Sequence, residues 1–389
     1  MSADLVLLSI SLFTWGIGEG MFFIFQPIYL QQLGANTMTI AAIFSAFGFA
    51  MMLAHVPAGY LADRIGRKPL MVVAWTFGLI ATWIMALARS LPFFIVGWLL
   101  YGLTAFVSSP MNSYITAASG KLSVGRVMTL VSATYSLGAV IGPLLGGWVG
   151  ERFSLRTVYM ISACIFIVST AVLFFLRSQP VEQHDPQDPP PNLFNNRRFF
   201  VFLGVIFVTM FVMYLPQPLT PRFLQNERGM SLEAVGVIGS VGNLGNVVLN
   251  LLLGHLPAWI GFLLGQASTA LFAGLIWLGT GQPWYALGYF LLGGYRAARP
   301  LYVAQIRTLI HRAQMGLAYG LAETVSSATT ILAPLLAGAL YTRDPALVYP
   351  VSIGLIFVAL IITVLFAPRG PASNLPAVIA LPPEIPLVE

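Results

Sequence analysis

The segment GYLADRIGRK, at residues 59–68, is an island of charge between two long apolar runs. The runs occupy about residues 38–62 and 69–88, and each is long enough to cross a bilayer as a helix. Only 8% of the chain is charged, against about 25% in a typical soluble domain. This concentration of charge therefore predicts a short loop that joins two membrane-spanning helices.

Similar apolar runs continue along the chain, of which 58% is hydrophobic. They predict an all-α membrane protein with twelve transmembrane helices in two pseudo-symmetric six-helix bundles. Spans of this length use most of the 389 residues and leave no room for a large soluble catalytic domain, so we expect no enzyme. We place the helices at residues 5–30, 38–62, 69–88, 92–117, 127–150, 157–176, 199–221, 232–254, 259–279, 283–308, 315–340 and 347–367.

The two predicted bundles repeat each other at an offset of 191 residues. At this offset Gln26-Pro27 matches Gln217-Pro218, and Pro143 with Gly147 matches Pro334 with Gly338. Such duplication is typical of secondary transporters, whose substrate site lies at the repeat interface. We divide the chain into an N-terminal bundle (1–176), a cytoplasmic linker (177–198), a C-terminal bundle (199–369) and a cytoplasmic tail (370–389).

Basic residues set the predicted orientation. With a cytoplasmic N-terminus, the inner loops and helix ends hold eleven Lys and Arg side chains and the outer ones hold six. An excess of positive charge marks the cytoplasmic side. We therefore expect a multi-pass protein of the inner (plasma) membrane with both termini in the cytoplasm.

The charged loop resembles the signature loop of the major facilitator superfamily, which places a glycine, an aspartate and spaced basic residues between helices 2 and 3. The resemblance implies that the loop latches one conformation, stabilising an outward-open state. Its matching positions are Gly59, Asp63, Arg64, Gly66, Arg67 and Lys68. In the second half Gly254–Gly261 keeps the glycine spacing without the charges.

Two further segments bear on this resemblance. Helix 5 is similar to the antiporter motif found mainly in exporters of the superfamily, with Thr129 where an earlier glycine is usual. Its matching residues are Gly138, Gly142, Pro143, Gly146 and Gly147. In helix 4, many proton-coupled members carry an arginine four residues before a glycine, but Trp98 occupies that position before Gly102.

Glu19 lies midway along helix 1, in a run of glycines (Gly16–Gly20) that weakens the helix. Trp15, Phe23 and Gln26 share its face at helical spacing. A charge inside a bilayer is costly and suggests function, and burial favours the protonated form of a carboxylate. We predict that Glu19 binds a proton or a cationic substrate, with a structural pair to a buried arginine as the alternative.

Arg296 and Arg299 lie on one face of helix 10, and Glu323 lies near the middle of helix 11. An ion pair between one arginine and Glu323 would leave the other arginine for Glu19 or for an anionic substrate group. Guanidinium suits carboxylate and phosphate because its planar fork donates two hydrogen bonds. Glu323 is the second candidate for proton coupling.

The resemblance implies that helices 1, 4, 7 and 10 line the substrate cavity. The asparagine stripe of Asn243, Asn246 and Asn250 in helix 8 fits helix packing slightly better than binding. The predicted substrate-binding residues are Glu19, Phe23, Gln26, Thr104, Ser108, Tyr214, Gln217, Arg296 and Arg299.

We interpret the chain as a secondary transporter that works by alternating access and exports an amphipathic small molecule in exchange for protons. One alternative is a carrier of organic anions or organophosphates that uses Arg296 and Arg299. Another is a non-transporting membrane sensor, which the lack of a long soluble segment disfavours. We expect no cofactor, no metal and no nucleic acid; the partners are the substrate, protons and membrane lipid, and the protein is expected to be a monomer.

Overall fold

The computed structural model describes residues 2–119, 124–178, 193–310 and 315–369, and these residues are helical and contain no strand. Eleven helical segments in this part of the chain are long and apolar enough to cross a membrane. A further long helix, α13, carries Arg296 and Arg299. The helices are α1 (Ala3–Phe23), α2 (Gln26–Gln32), α3 (Thr37–Ile65), α4 (Arg67–Leu87), α5 (Leu91–Leu103), α6 (Ser108–Ala117), α7 (Val124–Arg152), α8 (Leu155–Phe174), α9 (Arg197–Tyr214), α10 (Thr220–Asn226), α11 (Leu232–Gly254), α12 (Ala258–Leu278), α13 (Gln282–Ile306), α14 (Met315–Arg343) and α15 (Val348–Phe366).

The predicted all-α fold is confirmed, but three predicted helices are not continuous. The first breaks at Ile24 and Phe25, and the seventh breaks between α9 and α10. Proline lies in the first turn of both short helices, α2 and α10, where its missing N–H costs no hydrogen bond. The fourth passes through a 3₁₀ turn, Thr104–Val107, between α5 and α6.

Helices of the two halves meet in pairs that obey the 191-residue repeat. In the first half α7 packs against α1, and across the interface it packs against α11. The equivalent helix α14 packs against α9 and, across the interface, against α3. Small residues allow the close approach, since a Cβ on Gly147 would lie 2.7 Å from the carbonyl oxygen of Leu232. The two halves therefore share an interface with approximate twofold symmetry.

One end of this interface, where α2 meets α10, is sealed by polar contacts, and we call it the closed end. Arg222 on α10 donates to Gln31 Oε1 at 2.7 Å and to Thr37 Oγ1 at 2.6 Å. Asn226 donates to the same oxygen of Gln31 at 3.0 Å, and Glu151 accepts from the backbone N–H of Leu232 at 2.7 Å. These side chains join the two halves at the closed end.

The signature loop is described in part. Gly66 joins α3 to α4 with a φ of 85°, a conformation that favours glycine. Arg67 and Lys68 begin α4, whereas Gly59, Asp63 and Arg64 lie outside the residues whose side chains the structure describes. Residues 179–192 of the predicted linker and the tail from 370 onward also lie outside the described part, so the division into bundles stays a prediction.

Candidate functional site

Two glycines of α1 allow the close helix contact that places Glu19 beside α7. A Cβ on Gly16 would meet the backbone oxygen of Tyr135, and a Cβ on Gly20 would lie 3.0 Å from Pro143 Cδ. Because both positions lack a side chain, α1 and α7 approach at backbone contact distance. This close approach brings Glu19 on α1 beside Tyr135 on α7.

The carboxylate of Glu19 accepts a hydrogen bond of 2.8 Å from the hydroxyl of Tyr135. Tyr101 and Trp15 also face the carboxylate, and the Arg296 guanidinium is near enough to act on it electrostatically. Trp15 stacks on Phe166 with ring centroids 4.1 Å apart, which fixes the aromatic wall behind Glu19. The carboxylate is therefore oriented from the first half and faces a positive charge of the second half.

Arg296 reaches this site from α13, and its Nη1 donates to Asn243 Oδ1 at 3.3 Å. The amide nitrogen of Asn243 donates in turn to the carbonyl oxygen of Ala139 at 2.5 Å. Asn243 belongs to α11 and Ala139 to α7, so this hydrogen bond crosses between the halves. The predicted packing role of the stripe stays a prediction for Asn246 and Asn250, which bond to each other at 2.7 Å.

A cavity of about 330 Å³ lies between the halves at this point. Five of the predicted substrate-binding residues line it: Glu19, Phe23, Tyr214, Gln217 and Arg296. Apolar and aromatic side chains of several helices complete the wall, and Phe23 is 38% exposed. A mostly apolar cavity with a few converging polar groups is the usual form of a small-molecule site.

The other four predicted binding residues, Gln26, Thr104, Ser108 and Arg299, do not line this cavity. Gln26 is fully buried and accepts a hydrogen bond from the hydroxyl of Tyr159. Thr104 and Ser108 donate to the carbonyl oxygens of Tyr101 and Ala105, at 2.7 and 2.8 Å, within their own helix. Their hydroxyls are therefore satisfied locally.

The helix of Thr104 and Ser108 contributes no described residue to the cavity, contrary to the expectation for helix 4. Trp98 accounts for this, because it stacks on Phe47 at 4.2 Å and lies 5.7 Å from Phe23. The indole is fully buried. The bulky side chain at the position of the usual arginine therefore fills the space between helix 4 and the cavity.

Arg299 and Glu323 form a separate cluster. Arg299 Nε donates to Glu323 Oε1 at 2.8 Å, and the hydroxyl of Tyr302 bonds to the same oxygen at 3.2 Å. The side chain of Arg299 is 55% exposed and that of Glu323 26% exposed. The geometry thus answers which arginine pairs with Glu323. Glu323 is paired with Arg299, whereas Arg296 lines the cavity.

The antiporter-like motif forms two helix seams. A Cβ on Gly138 would lie 2.9 Å from the backbone nitrogen of Ile17, and one on Gly142 would lie 2.7 Å from Gly20 Cα. Gly146 also faces α1, whereas Gly147 faces α11 across the interface. Pro143 lines the cavity directly. The motif therefore sets how closely α7 approaches the helix of Glu19 and the opposite half.

Sequence reasoning missed Tyr135, the closest hydrogen-bond partner of Glu19. Its signal was its position on helix 5, three residues before the first glycine of the motif. The described residues contain no group of three or more His, Cys, Asp or Glu side chains that could hold a metal ion. With one carboxylate, one guanidinium and tyrosine hydroxyls around a cavity, the arrangement can bind a small molecule and exchange a proton.

The fold and site define a helical membrane protein with a central binding cavity at a repeat interface, as in secondary transporters. A sequence model of the Major Facilitator Superfamily matches residues 8–298, and the chain belongs to that family. It is therefore a multi-pass helical membrane protein of a family whose members are transporters and not enzymes, as expected from the sequence.

Relatives of the chain include drug-efflux proteins. It is 28% identical over 198 residues to the multi-drug resistance efflux pump PmrA of Streptococcus pneumoniae, covering 48% of this chain and 49% of that protein. It is 20% identical over 380 residues to multidrug resistance protein 1 of Bacillus subtilis, covering 95% and 97%. The chain spans about half the length of several of its curated relatives, the pneumococcal protein among them.

Solved structures share the fold at lower identity. The crystal structure of a point mutant of the nucleoside transporter NupG superposes with a TM-score of 0.81 at 14% identity. The superposition covers 93% of this chain and 99% of that one. The likeness establishes the fold.

Proposed function

We propose that this transporter exports an amphipathic small molecule in exchange for protons, by alternating access, with Glu19 as the proton carrier. The observation that carries the proposal is the position of Glu19, which lines the cavity and faces Arg296 of the opposite half. The similarity to drug-efflux proteins supports the class of substrate.

The geometry supports a simple coupling scheme. Ionised Glu19 attracts Arg296 across the interface, whereas protonated Glu19 does not. A cationic substrate competes with the proton for the same carboxylate, so the two are carried in opposite directions. Glu323, the other predicted proton carrier, is already paired with Arg299 and lies outside the cavity lining, so we assign it a structural role.

The conformation fits an inward-open state if the N-terminus is cytoplasmic, as we propose for a protein of the plasma membrane that works as a monomer. The closed end then faces outward, because α2 and α10 follow the first outward span of each half. The predicted latch at Asp63, Arg64, Arg67 and Lys68 would act at the opposite end, in the outward-open state.

The test uses purified protein in liposomes with an acidic interior and ethidium, a lipophilic cation, outside. We expect wild type to accumulate ethidium and Glu19→Gln to lose gradient-driven accumulation. Glu323→Gln is the matched control, since it removes another carboxylate from a helix interior. If Glu19→Gln kept the full gradient-driven accumulation of ethidium, Glu19 could not be the proton carrier.

A second candidate is a carrier of organic anions, favoured by the guanidinium of Arg296 in the cavity. Arg299 weakens it, because this arginine is paired with Glu323 and does not converge on the same space. Glycerol 3-phosphate in the same liposomes separates the candidates. Uptake of glycerol 3-phosphate that Arg296→Ala abolishes would make the anion carrier the leading function.

A further inference from the structure

A second cavity lies at the end of the C-terminal half opposite the closed end. It has a volume of about 730 Å³ and lies between the start of α9, the end of α13 and the end of α15. Its polar lining comes mainly from Arg197, Arg198 and Arg369. The transport mechanism proposed above uses none of these residues.

The charge of this cavity is one-sided. Its described lining contains three arginines and no acidic side chain. Arg369 is anchored, because its Nη2 donates to the carbonyl oxygen of Val364 at 2.6 Å and its guanidinium lies 5.6 Å from the ring of Trp259. Arg197 and Arg198 are exposed, and the described residues form no ion pair with either.

The start of α9 adds to this positive potential. Asn196 caps the helix by accepting from the backbone N–H of Phe199 at 3.1 Å, and its Nδ2 donates to the carbonyl oxygen of Leu309 at 2.8 Å. These bonds tie the first turn of α9 to the end of α13. The positive end of a helix dipole and two arginines of its first turn are thereby held at one wall of the cavity.

The rest of the wall is apolar and faces outward. Leu365 is 67% exposed, Phe366 56% and Val201 42%, and all three line the cavity. On a membrane-spanning bundle, exposed side chains of this type at the ends of α9 and α15 contact hydrocarbon. The cavity is therefore open sideways to lipid, with a cationic part next to an apolar part.

We propose that this cavity binds the phosphate headgroup of an anionic phospholipid. Guanidinium groups donate paired hydrogen bonds to phosphate oxygens, and basic pockets between the ends of membrane helices suit such headgroups. The apolar rim favours a lipid over free phosphate, because it provides a surface for acyl chains that a soluble ion cannot use. A lipid here would join the ends of α9, α13 and α15.

The experiment titrates the detergent-purified full chain with dioleoylphosphatidylglycerol, with dioleoylphosphatidylcholine and with sodium phosphate. The two lipids have the same acyl chains and differ in headgroup charge. Native mass spectrometry counts bound lipid, and thermal unfolding reports stabilisation. We expect phosphatidylglycerol to bind and to raise the midpoint, and the other two probes to have little effect.

The variant is Arg197→Gln/Arg198→Gln, and the matched control is Arg89→Gln/Arg343→Gln, which removes two exposed arginines at the closed end. Each arginine near a membrane surface contributes about fivefold to the affinity for an anionic lipid, so the variant should bind about 25-fold more weakly. The control should bind as wild type does. Arg197→Lys/Arg198→Lys keeps the charge and should restore most of the affinity.

Three results would overturn the proposal. Equal binding of the two lipids would show that acyl chains alone provide the affinity. Equal loss in the variant and the control would show that overall positive charge, and not this cavity, provides it. Stabilisation by millimolar sodium phosphate as large as that by phosphatidylglycerol would assign the cavity to a soluble anion. Ethidium transport, measured as above, separates this site from the central one, because loss of lipid binding leaves Glu19 in place.

Discussion

The closed end offers the most direct test of alternating access, through the change Arg222→Ala. Arg222 joins the halves by hydrogen bonds to Gln31 and Thr37, and its guanidinium also lies 5.2 Å from the ring of Tyr341. Hydrogen bonds to charged groups contribute about 1.5–3 kcal/mol each when buried. Both bonds here are partly exposed, so we assign about 2 kcal/mol to the pair.

This free energy sets the expected change in population. A loss of about 2 kcal/mol is a factor of about 30 in an equilibrium constant. If the closed end is open in about 1% of molecules, the variant should be open there in about a quarter. The effect is visible because it falls on the conformational equilibrium and leaves the cavity residues in place.

The assay measures the distance between α2 and α10 with spin labels on two exposed positions. Cysteines replace Gln32 and Glu227, and Cys164, which is exposed, is changed to serine. Pulsed electron paramagnetic resonance should show a single short distance between the labels when Arg222 is present. In Arg222→Ala it should show a second, longer distance as well. Arg343→Ala is the control, since Arg343 is exposed at the same end and outside this contact. Identical distance distributions in the two variants would refute the reasoning.

Three further predictions follow from single contacts. Gly146→Ala should lower the free energy of unfolding by about 1–3 kcal/mol, because the backbone of α1 lies against this position. Gly354→Ala is the control and should raise the free energy of unfolding by up to about 1 kcal/mol, because no atom lies near its Cβ. Thermal unfolding in detergent measures both changes. Asn243 lines the cavity and also bonds across the halves, so Asn243→Leu should lower the rate of ethidium transport by a larger factor than it lowers ethidium affinity. Equal losses of both would show that Asn243 acts only through binding. A double-mutant cycle on Arg299 and Glu323, measured by thermal unfolding, should give a coupling free energy of about 1 kcal/mol, because the ion pair is partly exposed. A coupling free energy of zero would show that the ion pair has no structural role.

The sequence predicted the fold well because span length, charge and repeat are linear properties of the chain. The start and end of α11 agree with the prediction at both residues, 232 and 254. The breaks at Ile24 and before Thr220 were missed, because hydropathy continues across them and only the prolines signal a new first turn. The repeat of Gln26-Pro27 and Gln217-Pro218 marked both places without revealing their role.

The site was predicted less completely, because a site depends on how each helix is rotated about its axis. Glu19 and Arg296 stood out as intramembrane charges wherever they pointed. Thr104 and Ser108 are polar residues four positions apart in a predicted cavity-lining helix, yet the hydroxyl of Thr104 donates to a carbonyl oxygen of its own helix. The sequence alone cannot distinguish such a hydroxyl from one that is free to bind substrate. Tyr135 joined the site through the glycine seam, which no spacing along α7 alone could show.

The repeat also explains where the chemistry lies. At the offset of 191 residues, Gln31 is equivalent to Arg222, so the closed end joins equivalent positions across the pseudo-twofold axis. Arginines at both positions would repel each other. Because one position holds the donor Arg222 and the other holds the acceptor Gln31, the two halves can hydrogen-bond at the closed end. The central charges follow the same logic, because the partners equivalent to Glu19 and Arg296 are Met210 and Ala105. Duplication supplies a symmetric interface between the halves, and the divergence of single positions places one carboxylate and one cation beside it. In the proposed mechanism, a proton that binds Glu19 therefore acts on the two halves unequally.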